Sequence, residues 1–260
     1  MTHTWELSDL EFLVAWERSQ ADLLPDPFVF TSRTPLYEDF QAEKQAVGEQ
    51  LRTGLDPAVE QVLEIIARPD IRIVAHGWTG DPGDAAGRIR LLGVRRGNTG
   101  YLVKQFPGET VWHGDGYVIS EVDPQALSEL VATELPDTGA GTREPTILRS
   151  PAADTTMDYT YRRSAVIGTF EESEEERAEQ FLHVPATGEG KITVVQGFSR
   201  FGPRGICRHG LYWRDLREDG RYLIPMSDPP VATPADRTRL AGAISDATGE
   251  VIAAIRDERQ

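Results

Sequence analysis

The sequence predicts an α+β fold built from two related halves, and three observations predict it. Three strand patterns in a row, IRIVAHGWT, GRIRLLGVRRG and TGYLVKQF, run from Ile71 to Phe106 with turn residues between them. The same order returns as ITVVQGFSR (192–200), GICRHGLYWRDL (205–216) and GRYLIPM (220–226). Each triplet lies between amphipathic helical patterns, so helices gather between runs of strands instead of alternating with single ones, the α+β arrangement. Two long copies indicate a duplicated half-domain, since a solenoid needs more and shorter repeats. What matches between the copies is the order of elements and not the residues. The expectation is a quasi-twofold molecule with halves at 1–135 and 154–260, a linker at 136–153, and one compact domain overall, the strands forming either two sheets or one shared sheet.

Element by element, Thr4–Leu7 reads as a short strand. Ser8-Asp9-Leu10-Glu11 is a capping box, in which the hydroxyl accepts from the third helical N–H and the glutamate reaches back. It opens a helix over about 9–21 with Leu10, Leu13 and Val14 at helical spacing. Prolines at both ends of Pro25–Pro35 make that stretch an extended link or an edge strand. Helix formers dominate from Tyr37 to Leu51. Asp56-Pro57 supplies an N-cap and a first-turn proline for a helix with Val59, Val62, Leu63 and Ile66 on one stripe.

In the first meander Ile71, Ile73 and Ala75 alternate with Arg72, Val74, His76 and Trp78, the period of a strand with one buried face. Gly80 to Gly87 is too long and glycine-rich for a tight hairpin and reads as a mobile loop, whereas Gly97-Asn98 is a compact turn. Thr110 to Val122 adds a fourth strand, interrupted at His113-Gly114-Asp115-Gly116. Asp123-Pro124 starts a helix running to about Glu134. Met157, Tyr161, Ala165 and Gly168 hint at another helix, and Ser173 to Glu176 is a second capping box. Asp236 caps the final helix, whose stripe of Leu240, Ile244, Ala247, Val251 and Ile255 needs a partner surface.

Composition narrows the function classes. The chain has 260 residues, enough to bury a sizeable core, and no apolar run approaches a membrane span. MTHTWELSDL lacks the regions of a signal peptide, so the expected location is cytoplasmic, without membrane insertion. With 42 acidic against 27 basic residues and a net charge of -15, nucleic acid is not the expected partner. The lone Cys207 excludes an intramolecular disulfide and a multi-cysteine zinc site.

A search for catalytic chemistry returns little. There is no G-x-S-x-G, phosphate-binding loop or dinucleotide fingerprint, and no two histidines have helical metal-ligand spacing. His76, His113 and His209 fall on strand patterns and could converge with Asp115. Cys207 and His209 point to one strand face and could meet. Both arrangements are outweighed by ordinary strand residues, and Asp81, Asp84 and Asp115 by a solvated acidic surface. No cofactor or metal is expected. The second meander is richer: Phe198, Arg200, Phe201, Arg204, Tyr212, Trp213 and Arg214 are of the types that dominate interface hot spots. About half must point into the core by strand alternation, and the rest would leave a face that binds something.

GKITVVQGF, then a strand pair ending in Asp219-Gly220-Arg221-Tyr222-Leu223, then a proline-initiated long C-terminal helix, resembles the second half of the EspG family of actinobacterial type VII (ESX) secretion systems. W-E-L-S-D-L-E-F-L and the Asp56-Pro57 helix are similar to its first half. The resemblance implies a quasi-twofold fold with a central antiparallel sheet flanked by helical bundles, and a cytosolic chaperone that is not an enzyme. It implies that the chain binds the PPE tip of a PE–PPE heterodimer, covering an apolar patch until export. By the resemblance the contact surface involves the central sheet, an early strand-to-strand loop and the C-terminal helical bundle. Here the loop maps onto Gly80, Asp81, Pro82 and Asp84, and the sheet face onto Phe198, Arg200, Phe201, Arg204, Tyr212 and Arg214. A small-molecule enzyme with an unrecognised site is the alternative, and a homodimer pairing through sheet edges is compatible with either.

Overall fold

The computed structural model describes residues 3–20, 23–148 and 174–259. Among them β1 (Thr4–Leu7), β2 (Ile71–Thr79), β3 (Arg88–Arg96), β4 (Thr99–Pro107) and β5 (Gly114–Val122) belong to the first half. The second half contributes β6 (Thr146–Ile147), β7 (Ala186–Gln196), β8 (Arg208–Leu216), β9 (Arg221–Pro225) and β10 (Val231–Pro234). All ten form one antiparallel sheet in the order β1-β5-β4-β3-β2-β7-β8-β9-β10-β6. The halves therefore share a sheet. β2 and β7 meet at the centre, paired from Ile71 with Gln196 to Thr79 with Gly188, and a pseudo-twofold normal to the sheet passes between them, exchanging β3 with β8 and β4 with β9.

Side-chain alternation gives this sheet two unlike faces. On one, Ile71, Ile73 and Ala75 of β2 join Leu91, Leu102, Ile192, Val194, Leu211, Trp213 and Leu223 beneath α4 (Leu127–Glu134) and α6 (Arg237–Arg259). The α6 stripe supplies Leu240, Ile244, Ala247 and Val251, all buried, and Asp236 caps the helix by accepting from Arg239 N at 2.8 Å. Trp213 lies flat across the two central strands: a Cβ on Gly190 would stand 2.1 Å from its ring and one on Gly77 2.7 Å. Full burial of so large a side chain contributes more than the roughly 1.5–3 kcal/mol of a leucine or phenylalanine, and only glycine opposite it leaves the space.

On the other face α1 (Asp9–Gln20) and α3 (Pro57–Ala67) cover the first half, with α2 (Tyr37–Gly54) leaning on α1, while α5 (Glu174–His183) covers the outer strands of the second. The local signals at these helices hold. Ser8 Oγ accepts from Glu11 N at 3.2 Å and Glu11 from Ser8 N at 2.8 Å. Asp56 accepts from Ala58 N at 2.9 Å, and Val59, Val62, Leu63 and Ile66 are buried.

Several boundaries differ from expectation. β7 begins at Ala186 and stops at Gln196; Gly197 N still donates to Asp70 O at 2.8 Å, at a position where any Cβ would meet the Pro69 carbonyl, and Phe198, Ser199 and Arg200 lie outside the sheet. β5 starts at Gly114, and the expected interruption takes the form of a register shift within the strand, where Gly114 and Gly116 pair with Pro107 and Phe106 and Asp115 is the extra residue. Pro25–Pro35 is an extended link with no strand pairing. Asp123 caps a turn, accepting from Gln125 N at 2.8 Å, and α4 starts only at Leu127. Residues 137–148 are threaded along the second half: Gly139 O and Gly141 N bond to Arg221, and β6 pairs with β10. Met157, Tyr161, Ala165, Gly168 and Ser173 lie outside the described residues.

Candidate functional site

Between the two sets of helices the second face of the sheet is open along β2, β7 and β8 among the described residues. Two adjoining depressions, of about 480 and 600 Å³, share His76, Gly77, Arg88 and Lys191 and form one cleft. One wall is the link at Asp26, Pro27 and Val29 together with Val111 and Trp112. The opposite wall is Leu182 of α5 and Ile224 of β9. Strand register dictates the floor. Tyr212, Lys191, His76 and Arg90 stand side by side across β8, β7, β2 and β3, and Arg214, Glu189, Trp78 and Arg88 form the next row.

The floor is cationic although the protein is acidic. Arg88, Arg90, Lys191, Arg208 and Arg214 line it against two carboxylates, Asp26 and Glu189. Three of the five are held by the protein's own groups. Arg90, itself buried, donates to Val111 O at 2.6 Å and fixes the 111–113 wall; burial holds its guanidinium below its usual value. Arg88 donates to Pro82 O at 2.5 Å. Arg214 donates to the carbonyls of Phe181, Leu182 and Val184 at 3.1, 3.2 and 2.9 Å, which places a cation on the C-terminus of α5 where the helix dipole favours it. Lys191 lies over the Tyr212 ring, 5.7 Å from its centroid. Recession into the cleft and then the Lys191 ammonium hold the His76 imidazole below its ordinary value.

The structure divides the residues singled out in the sequence into three places. Tyr212 and Arg214 line the cleft. The loop with Gly80, Asp81, Pro82 and Asp84 adjoins it through Arg88 and carries two local bonds: Asp81 accepts from Gly83 N at 2.7 Å and Asp84 from Ala86 N at 3.0 Å. Phe198, Arg200, Phe201 and Arg204 sit at the opposite end of β2, about 27 Å away at the usual strand rise. None of those four lines the cleft. Their loop is fastened to the end of α6, on the other face: Gln196 Nε2 donates to Glu258 at 3.0 Å and Arg200 N to its second oxygen at 3.1 Å. Phe198 and Phe201 are consequently held outward, 77% and 65% exposed. Sequence reasoning passed over Lys191, Arg208, Trp78 and Trp112 as site residues. Alternation within β2, β7 and β8 already carried the signal for the first three; for Trp112 only the packing of its loop does.

The catalytic alternatives do not assemble. His76 lies on the cleft floor, His113 bonds Thr110 in the wall loop, and His209 faces α6. Among the described residues no group of histidine, cysteine and carboxylate side chains could hold a metal ion. Cys207 Sγ does meet His209 Nε2, at 3.3 Å, with Glu250 3.1 Å beyond on Nδ1. Yet burial pushes the thiol up, and Glu250 and Glu258 push it the same way, so the thiolate a nucleophile needs is disfavoured. Among the described residues no helix is long and apolar enough to cross a membrane.

Comparison with solved structures places the same architecture in the Mycobacterium tuberculosis type VII secretion system chaperone EspG5, solved in complex with the PE25-PPE41 dimer. The two chains share 11% identity with a TM-score of 0.54, over 92% of this chain and 93% of that one. No curated protein sequence gives a significant match. A family model describing the EspG family matches residues 8–246, nearly the whole chain and both halves of the sheet. The protein belongs to the EspG family.

Proposed function

We propose that this chain is a chaperone of a type VII secretion system, acting in the cytoplasm to hold a PE–PPE-like helical heterodimer soluble until export. Family membership over residues 8–246 is the observation that carries it, and the fold shared with a chaperone solved on its PE–PPE cargo supports it. The open cleft is the docking surface this reading favours. It is broad, lined by backbone and by Tyr212, Trp78, Leu182 and Ile224, and rimmed with charge, which suits an elongated helical tip better than a small ligand. The loop at 80–87 borders it at one end. Phe198, Arg200, Phe201 and Arg204 form a second surface, one that a long cargo reaches only by running past the end of the sheet.

Co-expression with the PE–PPE pairs of the same genome, followed by affinity capture and gel filtration, tests the reading. A stable complex that Tyr212→Glu weakens at least tenfold, and that Phe198→Glu/Phe201→Glu weakens less, supports the chaperone and the cleft. Equal loss in the two variants assigns both surfaces to the cargo. Failure of every PE–PPE pair to bind the folded wild type refutes the function.

A further inference from the structure

We infer that the cleft recognises its protein partner through a carboxylate-bearing segment, an Asp or Glu side chain seated over Lys191 and Arg208. The inference rests on the reading that the cleft is the cargo surface. Its warrant is the charge pattern across the strands. Lys191 on β7 stands directly opposite His76 on β2, and His76 directly opposite Arg90 on β3. Lys191 and Arg90 thus set two cations on either side of an imidazole held below its ordinary value, with no carboxylate in the row, where an opposite charge on a neighbouring strand would be favourable. In the row on the other side of Thr193, Arg208 and Arg72 flank Val195.

The internal bonds within this set sort its members. Arg90 is occupied by the Val111 carbonyl, Arg72 by the Ala67 carbonyl at 2.9 Å, and Arg214 by α5 and, at 3.5 Å, Glu189. Lys191 and Arg208 have no carboxylate partner among the described residues, and both line the cleft. Asp26 on the wall faces the same basic row, acting on both His76 and Arg72, so the wall side is partly neutralised while the Lys191–Arg208 side is open. A protein with a net charge of -15 repels polyanions at a distance, which disfavours nucleic acid. A single acidic side chain on an otherwise apolar helix meets the local positive field without that penalty, and the Tyr212 ring and Trp112 offer apolar contact beside it.

The experiment uses two probes against the full chain: the captured PE–PPE heterodimer, and a fluorescein-labelled amphipathic helical peptide with a leucine face and glutamates, paired with its glutamine counterpart. Anisotropy is expected to give at least a tenfold preference for the glutamate peptide, falling severalfold between about 50 and 300 mM salt. Lys191→Glu/Arg208→Glu should abolish the preference, and the milder Lys191→Gln/Arg208→Gln should reduce it, with circular dichroism unchanged. Equal affinity for the two peptides, displacement by citrate or single-stranded DNA as effective as by the acidic peptide, or an unchanged preference in both folded variants overturns the inference. Heterodimer captured equally by wild type and both variants sinks the carboxylate and leaves the chaperone standing. A glutamate preference without any heterodimer capture upholds the carboxylate site and sinks the chaperone.

Discussion

In the first half, the open-side face of β3, β4 and β5 is closed by α1 and α3, and its buried polar side chains Asp9, Arg90 and Gln105 form no ion pair with one another. Gln105, almost fully buried, donates to Asp9 at 3.0 Å and Val29 O at 2.6 Å and contacts the Tyr117 hydroxyl at 2.7 Å, beneath a stack of Phe12 on Tyr117. In the second half, α5 is the helix over β9 and β10 among the described residues. The buried polar group of this half lies on the other face, on the side of α4 and α6, and is a full ion pair: Arg221, with no exposed surface, grips Asp215 through two bonds of 2.7 and 2.8 Å and holds the Pro136 carbonyl at 2.9 Å. The difference shows that a duplicated scheme constrains strand order and helix placement but leaves each half to solve its own core. It also explains the cleft. Among the described residues one half carries its helices inward to β3 and the other only to β9, which leaves the strands between uncovered by them.

The largest expected effect lies in the ion pair. Asp215→Ala strands a buried guanidinium, and urea unfolding should register a loss of about 3–5 kcal/mol. Asp215→Leu/Arg221→Met should recover most of that, and a double variant as unstable as the single one would mean that Arg221 serves chiefly to hold residues 136–141. Next comes the seam between the halves. Gly190→Ala drives a methyl into Trp213 and the His76 carbonyl and should cost about 1–3 kcal/mol, while Gly139→Ala, with open space around it, should change little. Thermal unfolding of the pair checks whether the seam is as tight as the indole packing implies.

A smaller and oppositely signed effect is expected in the first half. Burial raises the Asp9 carboxyl above its usual value. A raised folded-state pKa contributes stability below the unfolded value and loses it as pH rises through the folded one. Wild type should therefore weaken relative to Asp9→Asn as pH climbs from about 3.8 toward neutrality, and parallel pH profiles for the two proteins would show that the carboxylate is solvated. Smallest is the helix cap: Ser8→Ala should cost about 0.5–2 kcal/mol by freeing the Glu11 N–H, measured as a lower urea midpoint at unchanged slope.

The sequence by itself determined the strand triplets, their repetition and the helix starts, because these follow from local rules: alternation along Ile71 to Thr79, a Ser8–Glu11 box, an Asp56-Pro57 cap. The same alternation separated Ile71, Ile73 and Ala75 from His76 and Trp78 before any coordinates. Tertiary structure alone decided that the two triplets share one sheet through β2 and β7, since a strand's neighbour is set by long-range pairing that no local pattern encodes. It alone showed that Phe198 and Phe201 lie outside the sheet, beyond Gly197, and that Arg214 caps α5. The row of Lys191, His76 and Arg90 exists only once β7 is set beside β2 and β3, and which basic side chains share a row is a property of register, not of composition.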